Sequence, residues 1–130
     1  MKKGIFEMKK VTFVIVDDSS FIRTILKKML EETEGYTVVG EASDGEEAVR
    51  IAAEVKPDIL TLDITMPNMD GLSAVKRILE VSPNTRIIMI SAMGQQSVVI
   101  DAIKSGAKDF VIKPFEKSRI MQAIKNVLAT

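Results

Sequence analysis

Val11-Thr12-Phe13-Val14-Ile15-Val16-Asp17-Asp18-Ser19-Ser20 reads as a buried strand that runs into two carboxylates and then into the start of a helix. The run Val11–Val16 is nearly all apolar and rich in Val, with no polar alternation. A strand covered on both faces looks like this, as in a parallel sheet. Ser19 or Ser20 is placed to cap the helix that follows, whose stripe is Phe21, Ile22, Ile25, Leu26, Met29 and Leu30.

The same alternation repeats outward from this stretch. Short apolar runs recur at Tyr36–Gly40, Ile59–Leu62, Arg86–Ile90 and Phe110–Ile112. Between them the period becomes helical. Asp44-Gly45-Glu46-Glu47 resembles a capping box ahead of Ala48, Ile51, Ala52 and Val55, and Pro57 closes that helix. Leu72, Val75, Ile78 and Leu79 form a third stripe ending near Ser82-Pro83. Val98, Val99, Ala102 and Ile103 form a fourth, stopped by Gly106, and Ile120, Ile124, Val127 and Leu128 a fifth. Five strands and five helices in strict alternation predict an α/β fold: a doubly wound parallel sheet with right-handed crossovers and helices on both faces.

The composition removes whole classes of chemistry. The 130-residue chain has no His, Cys or Trp. There is therefore no disulfide, zinc finger, thiol nucleophile, imidazole base or His-ligated metal. Eighteen Lys and Arg balance eighteen Asp and Glu, so the footprint of a nucleic-acid binder is missing. The balance is global but not local. Lys2, Lys3, Lys9 and Lys10 face only Glu7 in the first ten residues, which leaves fourteen basic and seventeen acidic residues in the body, a net charge of −3. Residues 1–9 are expected to be a flexible extension ahead of a single domain over 10–130, with no output domain attached. No run approaches the roughly 18 apolar residues of a membrane span, and a cytoplasmic monomer is expected.

In an open parallel sheet, sites form outside the carboxyl ends of the strands. The first strand ends in Asp17-Asp18, the third in Asp63, the fourth in Ser91-Ala92 and the fifth in Lys113-Pro114. If the fold is right, three carboxylates, a hydroxyl and an ammonium share one pocket. Such carboxylates repel one another unless compensated, and Mg²⁺, a hard cation that needs few protein ligands, would compensate them. A carboxylate facing Mg²⁺, a Lys and a hydroxyl is equipped to attack a phosphoryl group and become an aspartyl phosphate.

Each piece also has a plainer reading. Asp17-Asp18 could cap the first helix, Ser91 could be a small packing residue, and Lys113 a solvated charge. Asp70-Gly71 reads as turn punctuation. These readings weaken together, because four polar sites fall at the same end of four strands. Rival uses of the fold lack their motifs: there is no G-x-G-x-x-G and no G-x-x-x-x-G-K-[ST]. The haloacid dehalogenase phosphatases carry a second Asp two residues after the nucleophile, where this chain has Thr65. A small aspartyl-phosphate phosphohydrolase is therefore the less favoured alternative.

Val16-Asp17-Asp18-Ser19, Leu62-Asp63-Ile64-Thr65-Met66-Pro67-Asn68-Met69-Asp70-Gly71, Ser91-Ala92 and Lys113-Pro114-Phe115 together resemble the response-regulator receiver domains of two-component signalling, over roughly Val11 to Leu128. The resemblance implies a flavodoxin-like (βα)5 sheet with strand order 2-1-3-4-5. It implies that Asp63 is the phosphoacceptor, that Asp17, Asp18, Asp63 and the backbone carbonyl of Thr65 hold Mg²⁺, and that Lys113 pairs with the phosphoryl group. Ser91 would be the switch hydroxyl and Phe110 its aromatic partner, which turns inward when Ser91 moves. The Lys113-Pro114 bond would be cis.

Within the family the chain is similar to the single-domain chemotaxis members, through Ser20-Phe21-Ile22-Arg23 and Ser91-Ala92-Met93-Gly94-Gln95-Gln96. Many of those carry Asn at the position of Thr65 and Tyr at that of Phe110, and a Phe ring can bury area but donates no hydrogen bond. Phe110 could equally be ordinary core. The resemblance further implies a CheA-like sensor histidine kinase as phosphodonor, a FliM-like flagellar motor switch protein as target, and a phosphatase acting on the phosphorylated form. Val99, Phe110 and Lys117 would be surface residues of the responding face. A stand-alone relay outside chemotaxis stays open. Either way the chain is expected to be a signalling protein that assists its own Mg²⁺-dependent phosphorylation and dephosphorylation, not an enzyme acting on other substrates.

Overall fold

The computed structural model describes residues 10–64 and 69–129. Strands β1 (Val11–Val16), β2 (Tyr36–Ala42), β3 (Ile59–Leu62), β4 (Arg86–Ser91) and β5 (Asp109–Ile112) alternate with helices α1 (Ser20–Glu31), α2 (Gly45–Val55), α3 (Gly71–Val81), α4 (Gln96–Ser105) and α5 (Lys117–Leu128). The five strands pair in parallel in the order β2-β1-β3-β4-β5. This is the (βα)5 sheet that the alternation and the resemblance predict. The expected extension at residues 1–9 lies outside the described residues, as does Thr65. Among the described residues no helix is long and apolar enough to cross a membrane.

Because side chains alternate along a strand, each strand feeds two cores. Phe13, Ile15, Ile59, Ile88, Ile90 and Val111 point to one face, where Leu26 and Leu30 of α1 and Ile120, Ile124 and Val127 of α5 cover them. Val14, Val16, Leu60, Leu62, Ile87 and Met89 point to the other, under Ala48 and Ala52 of α2, Val75 and Ile78 of α3 and Ala102 of α4. Each large apolar side chain buried this way contributes about 1.5–3 kcal/mol. The central strands β1, β3 and β4, which end in Asp17, Asp63 and Ser91, are thus the most firmly held part of the molecule.

Edge strand β2 carries a bulge. Phe13 stands opposite Val38 but Val14 opposite Gly40, so Val39 is the extra residue. Tyr36 and Val38, before it, pack on the α1/α5 face. After it the parity reverses: Ala42 lies in the α2–α4 core, and a Cβ on Gly40 would lie 2.9 Å from Ile51 of α2. Glu41 is thereby turned toward α1.

Local signals in the sequence account for the helix starts. The Ser19 hydroxyl accepts from Ile22 N at 3.2 Å, and Asp44 accepts from Glu47 N at 2.8 Å. Glu47 answers by accepting from Ser43 N at 2.8 Å, one residue earlier than the usual capping box. Three residues expected in the helical stripes are exposed: Val55 of α2, Ile103 of α4 and Phe21 of α1. Phe21, expected in the buried stripe of α1, is 71% exposed. The contact runs along Leu26 and Leu30, and Phe21, five residues before Leu26, stands about 140° around the helix from it.

Candidate functional site

The parallel sheet brings the carboxyl ends of β1, β3, β4 and β5 to one edge, and the sequence-expected polar residues meet there. Asp17 (2% exposed) follows β1 directly and Asp63 (6% exposed) follows β3. Lys113 follows β5, and its ammonium bridges the two carboxylates, at 2.7 Å from Asp17 Oδ2 and 3.1 Å from Asp63 Oδ2. Lys113 N also donates to Ser91 O at 2.9 Å, which extends the β4–β5 ladder to the site. Burial alone would push the Lys113 ammonium down. The hydrogen bonds and charges of Asp17 and Asp63 outweigh it and raise Lys113 above the ordinary lysine value. The Lys113-Pro114 bond is cis, as the resemblance implies.

Asp17 is held on every side. Its N–H donates to Ala42 O at 3.1 Å. Its Oδ1 accepts from Ser19 N at 2.9 Å, and its carbonyl accepts from the Arg23 guanidinium at 2.7 Å. Asp18 is different: it is exposed, and among the described residues its carboxylate has no hydrogen bond or ion pair. One carboxylate oxygen each from Asp17, Asp18 and Asp63 lie within 4.8 Å of one another. Three hard oxygen donors at that spacing, one of them unpaired and open to solvent, suit a divalent cation of the Mg²⁺ or Ca²⁺ type. The Thr65 carbonyl, expected as a further ligand, lies outside the described residues.

Ser91 is the last residue of β4 and is 1% exposed. Its hydroxyl accepts from Met93 N at 3.2 Å, which leaves its proton available to donate. Phe110 is also buried, at 7% exposure, opposite Met89 and within the core under α2, α3 and α4. Its expected place on the surface is therefore corrected: its β5 position points it into the sheet face that α4 covers. Val99 is half-buried against the same core. Lys117 is exposed but pairs with Glu32, beyond α1, at 2.6 Å, so it joins α1 to α5 and does not face α4.

Three residues at the site, Arg23, Asp70 and Gly71, have no site role in the sequence reading. Arg23 was legible only as part of the first-helix resemblance, and no local pattern told that its guanidinium returns to the Asp17 carbonyl. Asp70-Gly71 reads as a turn, yet Asp70 caps α3 by accepting from Ser73 N at 2.9 Å. Gly71 N donates to Ile64 O at 2.8 Å, beside the Asp63 backbone.

An (βα)5 sheet with paired acids after β1, an acid after β3, a hydroxyl ending β4 and a Lys-cis-Pro after β5 is the arrangement of a phosphoacceptor receiver. Residues 13–125 match the response regulator receiver domain family, and the chain belongs to that family. It is 54% identical over 114 residues to the chemotaxis protein CheY of Thermotoga maritima, across 88% of this chain and 94% of that protein. It is 51% identical over 115 residues to CheY of Bacillus subtilis, across 88% of this chain and 95% of that protein. Among solved structures, the CheX–CheY complex with BeF3 and Mg²⁺ from Borrelia burgdorferi superposes with a TM-score of 0.89 at 39% identity, covering 94% of this chain and 92% of that one. The response regulator domain of Thermotoga maritima CheB superposes with a TM-score of 0.86 at 34% identity, covering 94% and 98%. The chain is thus the receiver domain of a two-component response regulator.

Proposed function

We propose that the protein is a phosphorylation-activated chemotaxis regulator, which takes a phosphoryl group from a CheA-like histidine kinase onto Asp63 and then binds a FliM-like motor switch protein. The observation that carries this reading is the Lys113 bridge between Asp17 and Asp63, with the unpaired Asp18 beside it. The CheY relatives support the chemotaxis assignment.

The chain contains no His, so the phosphohistidine belongs to the partner. An Asp63 carboxylate oxygen attacks phosphorus, the P–N bond of the phosphohistidine breaks, and the imidazole leaves with the electron pair. Lys113, already between Asp17 and Asp63, turns its ammonium to an oxygen of the transferred group. The Ser91 hydroxyl gives up Met93 N and donates to a second oxygen. A bound Mg²⁺, held by Asp17, Asp18 and Asp63, would offset the charge that gathers on the phosphoryl oxygens. Hydrolysis of the resulting acyl phosphate resets the protein, so it assists its own phosphorylation and dephosphorylation without acting on other substrates.

Beside the site, a groove of about 390 Å³ is lined by Ile22, Ile25, Met29, Ala92, Pro114 and Phe115, with Lys113 at its wall. The apolar face of a helix of the donor protein would fit such a groove beside the phosphoacceptor. The test is phosphoryl transfer from labelled kinase with Mg²⁺. Wild type should take up label and Asp63→Asn should not; equal labelling would remove Asp63 from its role. A pull-down with motor switch protein should then succeed only with the phosphorylated or beryllofluoride-treated form. Transfer without that binding would point to a relay outside chemotaxis.

A further inference from the structure

We infer that Arg23 is a positioning residue for the cation-binding carboxylates, acting through the peptide that joins Asp17 to Asp18, and that Glu41 holds Arg23 in that role. The inference rests on reading Asp17, Asp18 and Asp63 as ligands of a divalent cation.

Arg23 Nη1 donates to Asp17 O at 2.7 Å. That carbonyl belongs to the planar peptide that ends at the Asp18 Cα, so fixing the oxygen fixes the plane from which the Asp18 side chain departs. The side chain of Asp18 has no partner of its own among the described residues. Its direction is therefore set by its backbone, and Arg23 is the side chain that grips that backbone. The other end of Asp17 is fixed by Ala42 O at 3.1 Å.

Arg23 is oriented in turn. Its Nε donates to Glu41 Oε1 at 3.1 Å. The guanidinium thus uses two edges of one rigid plane, one for β2 and one for the loop after β1, and a lysine has no such fork. The bulge at Val39 supplies the partner, because it turns Glu41 to the α1 side of the sheet. Glu41 also settles the charge. A guanidinium one residue from a divalent cation would repel it, and the paired carboxylate offsets that repulsion.

A tie between α1 and β2 that serves only stability would show the same ion pair, so the test must read the cation. Mn²⁺ binding to the full-length unphosphorylated protein is followed by the loss of free-Mn²⁺ electron resonance, with Mg²⁺ competition. Arg23→Met and Arg23→Lys should each weaken Mn²⁺ binding about tenfold. Glu41→Gln should weaken it in the same direction by less. Glu32→Gln, which breaks the other ion pair near α1, should leave it unchanged. Phosphorylation by a small phosphodonor should need more Mg²⁺ in Arg23→Lys yet reach within about twofold of the wild-type rate at saturation. Wild-type affinity in Arg23→Lys, or equal weakening in Glu32→Gln, would overturn the positioning role alone. A wild type that takes up no Mn²⁺ would overturn the cation reading and this inference with it.

Discussion

Gly71 lies against Ile64 so closely that a Cβ at position 71 would fall 2.5 Å from Ile64 Cα and 2.8 Å from Asp63 O. The first residue of α3 therefore sits on the backbone that carries Asp63, the proposed phosphoacceptor, and its N–H holds Ile64 O at 2.8 Å. Gly71→Ala forces that backbone or α3 to shift. Overpacking of this kind costs about 1–3 kcal/mol. The urea midpoint should fall accordingly, and phosphorylation of Asp63 should slow beyond what the lost stability explains. A variant with both properties unchanged would show that the loop yields freely.

How legible this was depended on how local the cause is. The strands were readable from Val- and Ile-rich runs, because burial on both faces leaves a continuous pattern. Asp17, Asp18, Asp63, Ser91 and Lys113 were readable because the parallel topology sends every strand end to one edge. Phe21 misled because a helical stripe shows amphipathicity but not how wide the covered strip is. Gly71 and Arg23 were not assignable because their partners, Ile64 and the Asp17 carbonyl, are backbone atoms reached only through tertiary packing. Glu41 needed the bulge at Val39, which the isolated Gly40 beside it signals without fixing the register.

The Lys113 bridge should give the protein an alkaline signature. Although burial opposes its charge, Asp17 and Asp63 raise Lys113 above its ordinary value of 10.5. A raised ammonium stabilises fully below its unfolded value and loses that contribution as pH rises through the higher folded value. Without added metal, the gap in thermal midpoint between wild type and Lys113→Met should hold from neutrality to about pH 10. Above the ordinary lysine value of 10.5 it should narrow. A gap constant through pH 11.5 would mean the ammonium contributes no charge-dependent stability. At neutral pH the same variant should phosphorylate about 10²-fold or more slowly, the typical cost of removing a charged partner from the reacting group.

Thr61 offers a stability gain. It lies in β3 between Ile15 and Ile88, and its hydroxyl, fully buried, has no hydrogen-bond partner among the described residues. A buried unpaired hydroxyl costs about 1–3 kcal/mol. Thr61→Val keeps the shape and removes that cost, so the urea midpoint should rise by the equivalent of about 1 kcal/mol with phosphorylation unchanged. A fall in stability would reveal a partner for the hydroxyl.

The helix after the Ser91 loop is the least anchored of the five. Helix α4 fully buries Ala102 alone, with Val98 and Val99 half-covered, while Ile100 and Ile103 remain exposed. Its N-cap, Gln95, makes no side-chain capping hydrogen bond. Helix α3, by contrast, buries Ala74, Val75 and Ile78 and is capped by Asp70. Few buried contacts and an uncapped end put α4 at the low-stability end of the molecule. Its amides should exchange with deuterium well before those of α3. Gln95→Ser supplies the missing acceptor and should stabilise α4 by about 1 kcal/mol. Exchange in α4 should slow about fivefold while α3 is unaffected, because 1 kcal/mol of local opening energy is a factor of that size. If α4 already exchanges as slowly as α3 in the wild type, its weak anchoring does not translate into opening, and the proposed switch at Ser91 would act through some other element.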